Sequence, residues 1–319
     1  MISRRPIAVT MLMTLACAGV GRAQSVRAAD SVFQSGEMVR AESMYYAAAR
    51  ARPRDPIARW ALGRYLTGRG AGRVGATLFE EALRFGGEPA IIGRDLAPLY
   101  LAIGEFGRLS NLASATSEER ARARWLVIHR PTSIAPESLL TGVFIPGKDS
   151  LEIGRVPLRV NGTAVDAVVS PRVHGIVISD TAVANGLHKF GVRGRGDRRE
   201  ILAVADSIGL AGLTLRNHPV TVSRLAGRVR AEIGLDVLGR FVPTFEPRTQ
   251  RVTVHVGATA MDAAAATPGD RLATFTTTSD VRVMSRGAWL SIARAPIANQ
   301  LREHRWTLVP RRGELIVER

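Results

Sequence analysis

The sequence predicts a multidomain α and β protein in which α-helical repeats precede an all-β domain and a partial C-terminal β unit. Small and apolar residues recur every 34 residues in the N-terminal third, which indicates stacked helix pairs. Apolar residues alternate with a period of two from Val156 onward, which indicates strands. A short segment near the C terminus repeats an earlier one at a constant offset of 63 residues. The 319 residues are enough for two compact domains with their own cores.

The first 23 residues have the anatomy of an export signal. Arg4 and Arg5 form a positive n-region, and Ile7–Val20 is an apolar stretch too short to span a bilayer comfortably. Gly21–Ala23 then places small residues at the two positions that signal peptidase recognises, so cleavage is expected before Gln24. The protein is therefore predicted to be exported, to the periplasm or the extracellular space, with no integral membrane span in its mature form.

A lipoprotein signal is the alternative, because Thr14–Cys17 partly resembles a lipobox. Threonine is a poor first residue for that motif, so soluble export is preferred over lipid attachment at Cys17. The chain has one cysteine, so the mature protein would have none. Disulfides, thiol catalysis and cysteine-based zinc sites are then excluded.

The formal net charge of +16 raises the question of a nucleic-acid partner. Only Lys148 and Lys189 are lysines among the 44 basic residues, and such an arginine skew is as readily explained by codon usage in a GC-rich genome. The arginines are spread along the chain, and the aromatic residues that could stack on bases are only 5%. No nucleic-acid partner is expected. The scattered histidines lack metal-ligand spacing and no P-loop is present, so no metal and no cofactor are expected either.

The helical prediction covers residues 24–118 and depends on Gly36, Gly70 and Gly104, which are spaced 34 apart. The same register relates Val32, Leu66 and Tyr100, Ala41 and Gly75, Tyr45 and Phe79, and Ala48 and Ala82. This pattern resembles the tetratricopeptide repeat, a stacked helix–turn–helix unit. Each of the three glycines is expected at the turn between two paired helices, where the backbone needs freedom.

Such an array either offers a concave surface to a peptide or protein partner or serves only as a scaffold for the β domain. The sequence names no ligand, so both interpretations stay open. Two full repeats and a decayed third are few for independent stability, so the array is expected to depend on contacts with the β domain for its stability. Residues 119–149 are predicted to be a linker, with a solvated helix at 120–130 preferred over a membrane-binding segment.

Residues 150–258 are predicted to form the all-β domain. Asn161-Gly162 is typical of a type I′ hairpin turn, and a helix is expected from Gly234 to Phe241. The predicted strands are 156–160, 163–170, 176–178, 201–205, 208–210, 213–215, 220–222, 242–245 and 251–256. This order, with the stretches VPLRVNGTAVDAVVS, GIVIS, IGLAGLTLRNHPVTV and IGLDVLGRFVPTFEP, resembles the retropepsin-like aspartic proteases of exported bacterial proteins. The resemblance implies an acid-protease barrel.

That family's chemistry requires an Asp-Thr/Ser-Gly triplet at the end of the strand after the first hairpin. Two such triplets bring together two carboxyl groups that share one proton. Ser170-Pro171-Arg172 stands at this place. A serine hydroxyl is not a base near neutral pH, proline replaces the residue that braces the partner loop, and arginine adds bulk and charge where glycine allows a tight turn. The three departures together predict lost catalysis.

Other groups are weaker candidates for chemistry. Rescue by Asp166, Asp180, Asp206 or Asp236 is not expected, because each stands elsewhere along the chain, and Asp236 is implied to be structural, as a helix cap. Ser170 with His174 as its base is a second possibility, but no third member or nucleophile elbow accompanies them. The cleft is expected to bind ligand through Ser170 and Arg172, under a mobile hairpin that carries Gly191, Gly194 and Gly196.

Residues 259–270 are predicted to be a linker, and residues 271–319 a C-terminal β unit. Thr307–Val317 repeats Thr244–Val254 at the constant offset of 63. The repeat is either the remnant of a second lobe or an ordinary hairpin with a Pro-Arg turn. A remnant lobe could pair with the first unit as a pseudo-dimer, whereas retropepsins with one aspartate per chain must form homodimers.

The sequence thus predicts an exported, catalytically inactive member of the retropepsin-like family that binds a peptide or protein. One alternative is an active aspartic-type endopeptidase that uses an unrecognised acid. A further alternative is an envelope assembly scaffold in which the repeat array is the working part.

Overall fold

The computed structural model describes residues 25–147, 153–182, 186–194, 196, 199–225, 229–238, 241–257, 267–277, 281–285, 287–309 and 312–318. The predicted export signal, with Cys17, lies outside these residues, as does most of the predicted linker at 259–270. Residues 25–128 are helical, and an all-β region that contains a barrel follows them.

The helices are short and follow one another closely in the N-terminal part. They span 25–34 (α1), Met38–Ala51 (α2), Pro56–Gly68 (α3), Gly72–Arg84 (α4), Pro89–Ile103 (α5), Phe106–Ser110 (α6), Ser117–Ile128 (α7), Leu235–Leu238 (α8) and Ala295–Glu303 (α9). Capping residues mark the N-terminal ends of two of these helices. The Asp55 carboxylate accepts the Ile57 N–H at 3.0 Å ahead of α3, and Thr116 and Glu119 form a reciprocal capping box on α7.

Gly36, Gly70 and Gly104 lie one or two residues after the ends of α1, α3 and α5, with φ angles of 91°, 87° and 81°. This left-handed conformation suits glycine because it has no Cβ. The paired helices approach closely at Gly63, where an added Cβ would lie 2.8 Å from the Phe79 ring. The 34-residue period of the sequence thus coincides with a repeated helix–turn–helix geometry.

The strands form two sheets. They span Thr132–Ile134 (β1), Leu139–Val143 (β2), Ile145–Pro146 (β3), Gly154–Val160 (β4), Thr163–Ser170 (β5), Ile176–Ser179 (β6), His188–Arg193 (β7), Glu200–Leu210 (β8), Leu213–Ser223 (β9), Ala231–Gly234 (β10), Val242–Glu246 (β11), Arg251–His255 (β12), Asp270–Thr276 (β13), Val281–Ser285 (β14), Ala288–Ser291 (β15), Arg305–Val309 (β16) and Glu314–Glu318 (β17). In the first sheet, β9, β6, β10, β5, β4 and β8 pair in that order, and β8 pairs with β9 again, which closes a barrel. The second sheet runs β15-β14-β13-β17-β16-β11-β12-β2.

The type I′ turn predicted at Asn161-Gly162 joins β4 to β5, with φ angles of 47° and 85°. The strands β8 and β9 are each continuous over 11 residues, where the sequence predicted pairs of shorter strands. The strand β10 was not predicted, and the helix expected at 234–241 is reduced to α8. A strand of only four residues carries too little pattern to be found from sequence.

The C-terminal repeat corresponds to two equivalent hairpins. The bounds of β16 and β17 are those of β11 and β12 moved by 63 residues. Thr244 lies opposite Thr307 in the β11–β16 pair, and their hydroxyls are 2.8 Å apart. Equivalent residues that meet in this way are related by a local two-fold axis. Phe245 and Trp306 stack beside it with ring centroids 4.0 Å apart.

The helical part packs against the C-terminal strands. The Arg69 guanidinium donates to the carbonyls of Thr274 and Gly313 at 2.5 and 2.9 Å. The Trp289 indole donates to the Phe33 carbonyl at 2.6 Å. Phe275 of β13 is buried in the core of α1–α3. The short array is therefore braced by the β region.

The predicted linker at 119–149 is part of the fold instead. Residues 117–128 form α7, which buries Arg122, Ala123 and Leu126 against the rest of the protein. β1 pairs with β9, and β2 pairs with β12. A helix was expected at 120–130, but its burial was not, because the buried face lacks the apolar stripe that usually marks one. The C-terminal unit is likewise continuous with the preceding hairpin through β11 and β16.

In the part of the chain that the structure describes, no helix combines the length and apolar character needed to cross a bilayer.

Candidate functional site

The predicted site begins at the end of β5, where Ser170 lies opposite Gly234 of the parallel strand β10. Ser170 is 7% exposed, Pro171 is buried and Arg172 is exposed. The backbone N–H of Arg172 donates to the Ser170 hydroxyl oxygen at 3.3 Å. Ser170 is therefore held at the buried end of the strand, and Arg172 is exposed.

An acid that the sequence analysis missed also reaches this site. Glu232 lies on β10 beside Val168 and is half-buried. Burial raises the pKa of its carboxyl, while a hydrogen bond from the Ser170 side chain and the charge of Arg172 act in the opposite direction. The site thus holds a carboxyl, a hydroxyl and a guanidinium.

The loop that follows Arg172 is held by Asp236 of α8. Both oxygens of the Asp236 carboxylate accept the Gly175 N–H, each at 3.0 Å. Asp236 was predicted to cap a helix, and instead its carboxylate binds a loop from a different part of the chain. Gly234 is needed here because Asp236 and the Val173 carbonyl occupy the space that a side chain would fill.

His174 links the same loop to the C-terminal unit. Its Nε2 lies 2.6 Å from the Thr277 carbonyl oxygen. A carbonyl can only accept, so Nε2 carries a proton. Its Nδ1 lies 3.9 Å from Asp236. His174 therefore binds backbone and an acid that already holds Gly175, and not Ser170 as a catalytic base would.

A cavity of about 650 Å³ lies between the helical part and the β region. Its helical wall includes Tyr65 and Leu99, and its β wall includes Gly175, Val237 and Phe275. Its lining is mainly apolar with a minority of polar groups. This size and character are typical of sites for small ligands or short peptide segments. Ser170, Pro171 and Arg172 are not among its lining residues.

Three aspartates line the cavity, and each already has a partner. Asp30 accepts from the Tyr45 hydroxyl at 2.5 Å. Asp95 accepts from the Trp60 indole at 2.8 Å. Asp236 accepts from Gly175, as described above. The acids of the cavity are therefore used to hold its walls in place.

Arg122 of α7 also lines the cavity and is 4% exposed. One of its terminal nitrogens lies 3.4 Å from the Val220 carbonyl oxygen, and its Nε has no hydrogen-bond partner among the described residues. Burial lowers the pKa of this guanidinium to about 10. The sequence analysis had assigned this residue to a solvated linker helix.

The hairpin that carries Gly191, Gly194 and Gly196 was predicted to be a mobile cover for the cleft. In the structure two residues of this hairpin contact α7. Gly191 packs directly against the Glu118 side chain. Arg193 forms ion pairs with Glu119 at 2.9 Å and with Glu200 at 2.6 Å. These contacts hold the hairpin against the helical part of the protein.

The other acids considered from sequence lie away from Ser170 or are engaged elsewhere. Asp166 and Asp180 are exposed. Asp206 forms an ion pair with His188 at 2.9 Å. In the described residues, no group of three or more histidine, cysteine or acidic side chains is placed to hold a metal ion.

No protein-family model matches the chain, so the resemblance to tetratricopeptide repeats stays a prediction. No curated protein matches it either. A retropepsin-like aspartic protease from Rickettsia conorii is a solved structure with 10% sequence identity. The match covers 40% of this chain and 95% of that one, with a TM-score of 0.29.

Proposed function

We propose that this protein is exported and binds a peptide or protein segment, without proteolysis, in the cavity between its helical part and its β region. The observation that carries the proposal is the position of that cavity. It lies beside the loop after Ser170, is walled by both parts of the protein, and excludes Ser170-Pro171-Arg172 from its lining. Apolar surface with a few polar groups suits an extended segment of several residues.

The loss of proteolysis is inferred from the groups at Ser170. An aspartic protease needs two carboxyl groups close enough to share a proton, and each then alters the other's pKa. Ser170 provides no carboxyl, and no second acid among the described residues contributes to the pKa of Glu232. The Arg172 charge favours the ionised form of Glu232, which opposes a shared proton.

Glu232 nevertheless favours a second candidate function, an aspartic-type endopeptidase with Glu232 as its acid. It is half-buried, its pKa is raised, and it bonds the side chain at the position of the family's aspartate. Such an enzyme would need a second acid from another subunit or from outside the described residues. The family's mechanism requires two acids that share a proton, and Glu232 is only one acid.

We also propose that the C-terminal unit takes the place of a second subunit. The local two-fold axis between Thr244 and Thr307 supports this pseudo-dimer. The bond from His174 to Thr277 adds a contact between the loop after Ser170 and the C-terminal unit. Sedimentation of the mature protein is expected to show a monomer, and a dimer at micromolar concentration would contradict this arrangement.

A peptide library incubated with residues 24–319 from pH 3 to pH 8 tests both candidate functions. Mass spectrometry then identifies retained peptides and any cleavage products. Retention without cleavage is expected, and Ala102→Trp is expected to abolish retention because Ala102 is exposed on α5 and lines the cavity. Ala51→Trp is the matched control, since Ala51 is exposed on α2 outside the cavity.

Cleavage that is inhibited by pepstatin and lost in Glu232→Gln would overturn the binding proposal in favour of the endopeptidase. A further variant, Ser170→Asp with Pro171→Thr and Arg172→Gly, restores the family's triplet. New cleavage by this variant would support descent from a protease. The binding proposal fails if no peptide is retained at any pH by the wild-type protein.

A further inference from the structure

We infer that the cavity recognises an anionic group on an otherwise apolar ligand, such as a peptide's terminal carboxylate, and that Arg122 binds this group. The inference rests on the proposed function, because the anion belongs to a ligand held in the same cavity. It adds a chemical requirement for the ligand and a residue that imposes it.

The first support is the unused bonding capacity of Arg122. A guanidinium has five N–H donors. Arg122 is 4% exposed, so water cannot take up these donors freely. Its one described hydrogen bond is long, at 3.4 Å to Val220, and its Nε donates to no described atom. A buried charged donor without partners is costly, and a ligand that supplies an acceptor removes that cost.

The second support is the allocation of the nearby acids. Glu119 and Glu200 act on the charge of Arg122 from a distance, but both form their ion pairs with Arg193, at 2.9 and 2.6 Å. No acid of the described residues lies within ion-pair distance of Arg122. The positive charge of Arg193 also disfavours the charged form of Arg122.

The third support is the composition of the cavity wall. The three aspartates that line it are bound to Tyr45, Trp60 and Gly175, so they do not compete for Arg122. Apolar side chains, among them those of Leu101 and Pro219, also line the cavity. A carboxylate here would form charge-assisted bonds in a low-dielectric setting while its apolar body fills the remaining volume.

Dansyl-leucine and dansyl-leucinamide provide a direct test, since they differ only in a carboxylate and a neutral amide. Their fluorescence rises on transfer to an apolar site, so titration yields both dissociation constants. A hydrogen bond to a charged group contributes about 1.5–3 kcal/mol, so the acid is expected to bind about 10- to 150-fold more tightly than the amide.

Arg122→Gln is expected to reduce this preference to about unity while the amide binds as before. Arg124→Gln is the matched control, because Arg124 is an exposed arginine on the same helix and its loss is expected to leave the preference intact. Arg122→Lys keeps the charge without the planar fork and is expected to retain part of the preference. If circular dichroism shows that Arg122→Gln is unfolded, Arg122→Lys is the variant that tests the inference.

Equal binding of the two dyes by the wild-type protein, or an unchanged preference in Arg122→Gln, would overturn the inference. In either case, the cavity would still be a ligand site if the wild-type protein binds the amide and Ala102→Trp abolishes that binding. If neither dye binds, the inference is wrong, and the peptide library then decides the proposed function separately.

Discussion

Phe275→Ala tests whether the helical part depends on the C-terminal strands. Phe275 is 8% exposed and its ring centroid lies 4.6 Å from that of Phe33, 6.0 Å from Tyr65 and 6.3 Å from Trp289. It also packs on the Gly68 backbone. Removal of a buried phenylalanine costs about 3–5 kcal/mol, because apolar burial is lost and a cavity remains. The substitution therefore weakens the contact between the helical part and the C-terminal strands.

Urea unfolding measures the effect, with helix content followed by circular dichroism. For a urea dependence of about 2–3 kcal/mol per molar, the helical midpoint is expected to fall by roughly 1–2 M. Tyr46→Ala is the control, because Tyr46 is an aromatic residue on α2 with 38% exposure, and its loss should cost less than about 0.5 kcal/mol. If Phe275→Ala lowers the helical midpoint no more than Tyr46→Ala does, the helical part is stable by itself and the reasoning is refuted.

Three further predictions concern the turns and two titrating groups. Gly104→Ala is expected to lower the free energy of unfolding by about 1 kcal/mol through backbone strain alone. Gly36→Ala is expected to lower it by more, because the added Cβ would also collide with the Gly287 carbonyl. Thermal unfolding measures both variants, and the opposite ranking would contradict this packing. Burial raises the pKa of Glu232, so the folded protein retains this proton longer and stability falls as pH rises through the window above pH 4.5. Glu232→Gln should remove that fall in urea titrations at pH 4 and pH 7, and an equal stability difference from wild type at both values would refute it. Burial lowers the pKa of His255, so stability should be lost as pH falls below 6.5; His255→Gln should reduce this loss, and a stability profile parallel to that of wild type between pH 5 and 7 would count against it.

Much of the local structure could be predicted because it depends on neighbouring residues. Glycines at a 34-residue spacing predicted turns, and Asn161-Gly162 predicted a type I′ hairpin. In both cases the required φ angles are positive, which only a few residue types adopt readily. The offset of 63 predicted a repeated unit, and the equivalent hairpins share their bounds.

The errors arose where an element depends on distant partners. Residues 119–149 were assigned to a linker because the arginine-rich α7 has no apolar stripe and β1 and β2 are short. These elements are held by β7, β8, β9 and β12, whose positions the local pattern does not reveal. The contacts of Gly191 and Arg193 with α7 could not be predicted for the same reason.

The sequence by itself determined that a helical part precedes an all-β region, because the apolar periodicity changes between them. That Ser170-Pro171-Arg172 stands where an acidic triplet is expected is what the resemblance to retropepsin-like proteases implies. Only the tertiary structure brought Glu232 to Ser170 through the parallel pairing of β5 with β10. It also buried Arg122 beside a cavity formed by two separate parts of the chain. Such contacts depend on strand register and on the packing of distant elements, so the chemistry of this site is set by the fold and not by any single motif.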